Sequence, residues 1–226
     1  MEDNNMKKLL RKLEGEMEEK DVKEELQEEL QEEGMTEAEF LQLVLQEIEN
    51  KTLNITGDFD IKMVRHVQEF ASRLCFYQND QKPNIRVNIS SNGGEATALF
   101  AIISTLNELK ELWGCTITTV VKGFAYSAGA VLFLYGDKKE MTDVDEIMLH
   151  QCLYYAGGSL QDHENELKRS KTIQKRIDKI ITTHSDLTQQ QLNKLYKKGD
   201  CFLDYDDCLK LGIIKEEEEE DMDEDE

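Results

Sequence analysis

The sequence predicts an α/β fold built on a largely parallel β-sheet. Two observations carry this. From about Leu53 to Lys215, short β-branched apolar runs alternate with longer stretches whose apolar residues recur at helical spacing. Glycine-bearing turns also fall where strands give way to helices. Strand–helix alternation implies parallel pairing through right-handed crossovers, and in such sheets the working crevice lies at the carboxyl ends of the strands.

Three zones divide the chain. Residues 1–50 are rich in Glu, Lys, Gln and Leu and contain no proline. Leu9, Leu13, Met17, Val22, Leu26 and Leu30 recur at three- to five-residue intervals, the pattern of a charged amphipathic helix. Gly34 interrupts it, and Thr36 with Glu39 forms a capping box before "FLQLVLQEIE". This zone reads as a solvated helical extension or, alternatively, an assembly helix. Residues 51–215 form the folded domain. Residues 216–226, "EEEEEDMDEDE", are a block of like charge that cannot pack on itself and is expected to be disordered.

Within the domain, "TLNITG" reads as a strand ending at Gly57. "DFDIKMVRHVQEFASRLCFY" follows with Ile61, Val64, Val67, Phe70, Ala71 and Leu74 on one helical face. "NIRVNIS" is a strand that leads through Gly93 and Gly94 into the helix "ATALFAIISTLNELKELW". "TITTVVKG" is a strand leading into a helix that starts near Ser127, and "EIMLH" is a short strand. Ser159 to Ser185 is a long polar helix, and Thr188 with Gln191 opens another.

Composition limits the function classes. A net charge of −21 argues against nucleic acid or an anionic membrane as partner, because the basic residues are interleaved with acids. No apolar run approaches the roughly 18 residues of a membrane span, and "MEDNNMKKLLRKLEGEMEEK" lacks the apolar core of a signal peptide. A cytoplasmic location is the expectation. The five cysteines, Cys75, Cys115, Cys152, Cys201 and Cys208, never form a Cys-x-x-Cys pair, so reduced, mostly buried thiols are expected, with neither metal nor cofactor.

The chemistry concentrates at strand ends. A serine nucleophile needs an imidazole to take its proton, a carboxylate to hold that imidazole, and N–H donors aimed at the developing oxyanion. In "GFAYSAGAVLFLYG", Ser127 heads a helix whose free N–H groups face whatever the hydroxyl attacks. Ala128, Gly129 and Ala130 leave room for a substrate backbone. The turn "SSNGG" can supply a second donor without side-chain obstruction. Of four histidines, His150 closes a strand at the same carboxyl edge; His66, His163 and His184 fit structural roles, His184 as a complement to its helix dipole. Asp200 follows a glycine and precedes Phe202 and Leu203, which places it at a buried edge, although acids are too abundant for pattern alone to choose one.

These residues resemble the Clp proteolytic subunit, the serine peptidase that works with AAA+ unfoldases. "ISSNGGEATALFAIISTL" resembles its Ser-Pro-Gly-Gly turn and helix, "GFAYSAGAVLFLYG" its nucleophile segment, and "IMLHQCLYYAGG" its Met-Ile-His-Gln-Pro segment. "GDCFLDYDDCLKLGII" resembles its Arg-Asp-x-Phe close, and the four segments occur in order from about Leu53 to Ile214. The resemblance implies Ser127 as nucleophile, His150 as general base and Asp200 as orienting acid, with oxyanion donors at the backbone N–H groups of Gly93 and Ala128. It implies a crotonase-like β-β-α spiral in which Ser159–Ser185 is a handle helix. Two heptameric rings would stack through it into a closed chamber. The strand after His150, through Gly157 and Gly158, would bind protein or peptide substrates backbone to backbone, and Gly94 is a further substrate-binding position.

The sequence departs from the family pattern at Asn92 and Cys152, each in place of a proline, and at Ala128, in place of methionine. The family's N-terminal hairpin, which engages the unfoldase, has no counterpart in the first fifty residues. Three other readings stay open: an inactive scaffold subunit, a phage-type head maturation protease, and an acyl-CoA enzyme of the wider crotonase superfamily.

Overall fold

A computed structural model of the protein describes residues 36, 42, 46, 48–77 and 82–215. Most of the predicted extension and the acidic tail at 216–226 lie outside the described residues. The domain carries a six-stranded sheet: β1 (Thr52–Phe59), β2 (Asn84–Gly94), β3 (Thr116–Tyr126), β4 (Lys138–Glu140), β5 (Glu146–Leu149) and β6 (Cys201–Leu203). Its helices are α1 (Ile61–Tyr77), α2 (Ala96–Trp113), α3 (Ala128–Tyr135), α4 (Leu160–His184), α5 (Gln189–Tyr196) and α6 (Tyr205–Lys210).

The strands run in the order β1-β2-β3-β5-β6, parallel throughout except for the antiparallel β5–β6 pair. The α/β class is the one the alternation predicts. β1 extends past the expected stop at Gly57 to Phe59, because the ladder with β2 resumes beyond a register shift with Asp58 opposite Gly93. Asp60 then caps α1, its carboxylate accepting from Met63 N–H at 3.0 Å. Val64, Val67, Phe70, Ala71 and Leu74 are buried as their spacing requires, whereas Ile61, in the first turn, is exposed.

β3 changes partner along its length. Its first half pairs with β4, from Thr118 to Val120, and its end pairs with β5, from Phe124 to Tyr126. Gly123, at φ 84°, marks the handover. Buried Asp145 fixes it by accepting from Gly123 N–H at 2.6 Å and from Thr142 N–H at 2.7 Å. β4 and β6 are three residues each, too short for an alternation pattern to announce them.

The core lies between the sheet and its helices. All eight residues of α3 are buried, and α3 packs on β2, β3 and α4. Gly129 permits this approach, since a Cβ there would meet Ser91 O at 3.3 Å. The handle helix has the predicted bounds: Ser159 and Asp162 form a capping box at its start, and Ser185 closes it. Thr188 and Gln191 likewise cap α5. Residues 151–158 form no strand, contrary to expectation, because a strand is defined by ladder partners and none pairs with this segment among the described residues.

His184 lies in the last turn of α4. Its ring packs on Tyr135 with centroids 4.8 Å apart, and burial, together with the nearby Lys110 and Lys139 charges, pulls its pKa below the usual histidine value. Cys115, Cys201 and Cys208 are buried and Cys75 and Cys152 half-buried, all as free thiols.

Candidate active site

Ser127 sits at the join of β3 and α3. Its N–H donates to Met148 O at 2.9 Å, tying the end of β3 to β5, while its own carbonyl accepts from Val131 N–H at 3.1 Å and opens α3. Between these two demands the residue takes φ 52°, ψ −116°, a conformation that favours glycine. A non-glycine residue held there costs about 1–3 kcal/mol, and such strain persists only where the surroundings enforce it. The helix begins at Ala128, one residue later than expected, with Ser127 in the cap position.

His150 follows β5 directly. Because Tyr126 pairs with Met148 in adjacent parallel strands, Ser127 and His150 emerge side by side at the carboxyl edge. His150 Nε2 lies 2.7 Å from Ser127 Oγ. Asp200, immediately before β6, is brought to the other side of the ring by the antiparallel pairing of Leu149 with Cys201. Its Oδ1 is 3.7 Å from His150 Nδ1, an ion-pair distance longer than a hydrogen bond. The expectation of a buried edge is corrected here. The Asp200 side chain is 64% exposed, against 14% for His150, and it immediately precedes β6, the last strand in the sheet order. The other histidines lie elsewhere: His66 bonds to Asn54 O at 3.1 Å, His163 is exposed on α4, and His184 packs on Tyr135.

The glycine turn comes up against Ser127. A Cβ on Gly93 would fall 2.7 Å from both Ser127 Cβ and Tyr126 O, and 2.9 Å from Ala128 N. Only glycine fits, and φ 97° requires it as well. The Gly93 N–H is committed, donating to Ser91 Oγ at 3.0 Å, and Ser91 Oγ donates in turn to Gly57 O. Ser91, fully buried, therefore clamps the turn to β1. Sequence reasoning passed over it; its signal was a hydroxyl at an inward-facing strand position just before two glycines.

Ser127 and His150 open onto a cleft of about 590 Å³. Gly94 lines it and Gly93 does not. Leu99, Val131, Ile173 and Ile177 form its apolar floor, and Ala128, Cys152 and Tyr155 stand on its walls. Gly157 and Gly158 do not line it; Gly158 lies against the Asp162 cap of α4. Burial, reinforced by the Glu166 charge, pushes the Cys152 thiol up, so at neutral pH it is protonated beside the cleft. Among the described residues no group of three or more His, Cys, Asp or Glu gathers as metal ligands, and no helix is long and apolar enough to cross a membrane.

The Clp protease family model matches residues 35–219, more than half of the chain. The chain belongs to the Clp protease family. Its curated relatives include the ATP-dependent Clp protease proteolytic subunit of Streptococcus mutans, 27% identical over 173 residues, covering 75% of this chain and 85% of the relative. Proteolytic subunit 2 of Bacillus licheniformis is 28% identical over 171 residues, covering 74% and 85%. Proteolytic subunit 1 of Rhodopirellula baltica is 26% identical over 170 residues, covering 74% and 71%.

Proposed function

We propose that this chain is a serine endopeptidase, the proteolytic subunit of a self-compartmentalised Clp-type protease. The observation that carries the reading is the 2.7 Å contact between Ser127 Oγ and His150 Nε2 at the mouth of an apolar cleft. For Nε2 to accept the hydroxyl proton, the ring's hydrogen must sit on Nδ1, where the Asp200 carboxylate favours it. Ser127 Oγ attacks the scissile carbonyl carbon while its proton passes to Nε2. The imidazolium then gives that proton to the leaving amine as the C–N bond breaks, and water enters by the same relay to release the acid and restore the hydroxyl. The spacing to Asp200 is longer than such a relay needs in its working state, and catalytic hydrogen bonds of this kind tighten when substrate binds.

Two backbone donors stabilise the oxyanion in this scheme. Ala128 N–H, in the first turn of α3, is the first. The second is assigned to Gly94 rather than Gly93, because Gly94 lines the cleft while the Gly93 N–H is held by Ser91. The exposed segment at Leu153, Tyr154 and Tyr155, which joins no sheet ladder among the described residues, is the edge on which an extended peptide would add, and Gly157 and Gly158 give it freedom to adjust. Apolar side chains of the substrate enter the Leu99–Ile177 floor. Heptameric rings stacked through α4 complete the reading.

The test is hydrolysis of an apolar fluorogenic peptide by Ser127→Ala. Its rate is expected to fall by about 10^4-fold or more, with the native assembly mass unchanged. A rate equal to wild type would overturn the proposal.

A further inference from the structure

Resting on the peptidase reading, we infer that Gln174 of α4 is a positioning residue for the active site. It acts by capturing the backbone N–H of Cys152, two residues after the general base. That N–H donates to Gln174 Oε1 at 2.6 Å, the bond by which the described structure ties the segment leaving His150 to the long helix.

The orientation of the Gln174 amide is not free. Its Nε2 donates to Asp178 Oδ1 at 2.7 Å and lies 3.1 Å from Tyr196 Oη, and Tyr196 Oη itself donates to Asp178 Oδ1 at 3.0 Å. Gln189 Nε2 donates to the second Asp178 oxygen at 2.9 Å. A carboxylate accepts only, so the Gln174 NH₂ must face it and the Gln174 oxygen must face Cys152. Tyr196 is buried, and its burial beside Asp178 raises its pKa, keeping the phenol a donor. Four side chains from α4 and α5 thus hold one acceptor at one place.

That acceptor matters because residues 151–158 have no ladder of their own. Cys152 and His150 both line the cleft, and Ile173 and Ile177, on either side of Gln174 in α4, form part of its floor. One bond therefore sets the height of the substrate-facing segment above that floor and, through two residues, the placement of the His150 ring against Ser127. Without it a part-buried N–H is left unpaired and the segment is free to shift.

The experiment is a double-mutant cycle in the full chain, read by peptide hydrolysis and by fluorophosphonate labelling of Ser127. Gln174→Leu is expected to lower both rates by about tenfold or more. In a Cys152→Pro background, which has no N–H to satisfy, the same change should cost less than about threefold. An equal loss in both backgrounds, or no loss in the first, would overturn the inference. Hydrogen exchange gives a second readout that needs no proline. The peptide covering 151–158 should exchange faster in Gln174→Leu than in wild type, and unchanged exchange would likewise overturn it. Failure of the wild-type protein to label at Ser127 would instead count against the peptidase reading itself.

Discussion

The two sides of the His150 ring are built differently. Nε2 meets Ser127 Oγ at 2.7 Å, and both residues sit at the ends of neighbouring parallel strands, locked by the Tyr126–Met148 register and the Ser127 N–H to Met148 O bond. Nδ1 meets Asp200 at 3.7 Å, and Asp200 is exposed immediately before a three-residue edge strand. The Ser127–His150 pair is thus set by the sheet interior, and the placement of Asp200 by a three-residue strand at the sheet edge. Charge interactions at exposed positions are screened, so the sheet-locked contact should dominate the chemistry.

Four changes break or sharpen that contrast. His150→Ala removes the proton acceptor, and peptide hydrolysis should fall by about 10^4-fold or more. Gly93→Ala drives a methyl into Ser127 and the Tyr126 carbonyl at 2.7 Å, where backbone cannot yield cheaply. Misplacing an oxyanion turn in this way should lower kcat by about 10²-fold or more, with the loss seen in steady-state kinetics. Asp200→Asn keeps the shape but removes the charge. Because that carboxylate is largely exposed, its loss should be about 10- to 100-fold, clearly smaller than that of His150→Ala in the same assay.

The smallest effect lies away from the cleft, at His184. Its folded pKa is depressed below the ordinary value of 6.5, so below that pH the unfolded chain binds the proton more readily. Stability should therefore be full above about pH 6.5 and decline as pH falls through the folded pKa. Thermal melts of wild type and His184→Gln across pH 5–7.5 check this, the variant showing the shallower decline.

The readable part of the site is the sheet-locked part. Ser127 and His150 were legible because strand ends in parallel sheets converge on one edge, and a serine among small residues or a histidine closing an apolar strand stands out there. The capped helices were legible from Ser159 and Thr188 with their partners three residues on. Asp200's exposure was not, because burial at one position depends on how distant elements pack around it, which local pattern does not encode. The missing strand at 151–158 was likewise hidden, since strand character needs a partner that the local sequence cannot supply. The turn alone left Gly93 and Gly94 both open as oxyanion donors, and the family resemblance implied Gly93; the capture of its amide by Ser91 follows from a side-chain direction that pattern does not encode. Gln174 sits among many polar residues of α4, and only the fold shows which one faces Cys152.

The central claim is that the hydroxyl of Ser127 is activated by His150 in a preorganised pair. Mass spectrometry of the full-length protein after fluorophosphonate treatment tests it directly. A single adduct on the peptide bearing Ser127 is predicted, formed at least about 10²-fold more slowly in His150→Ala. Modification elsewhere with Ser127 untouched, or labelling indifferent to His150, would contradict it.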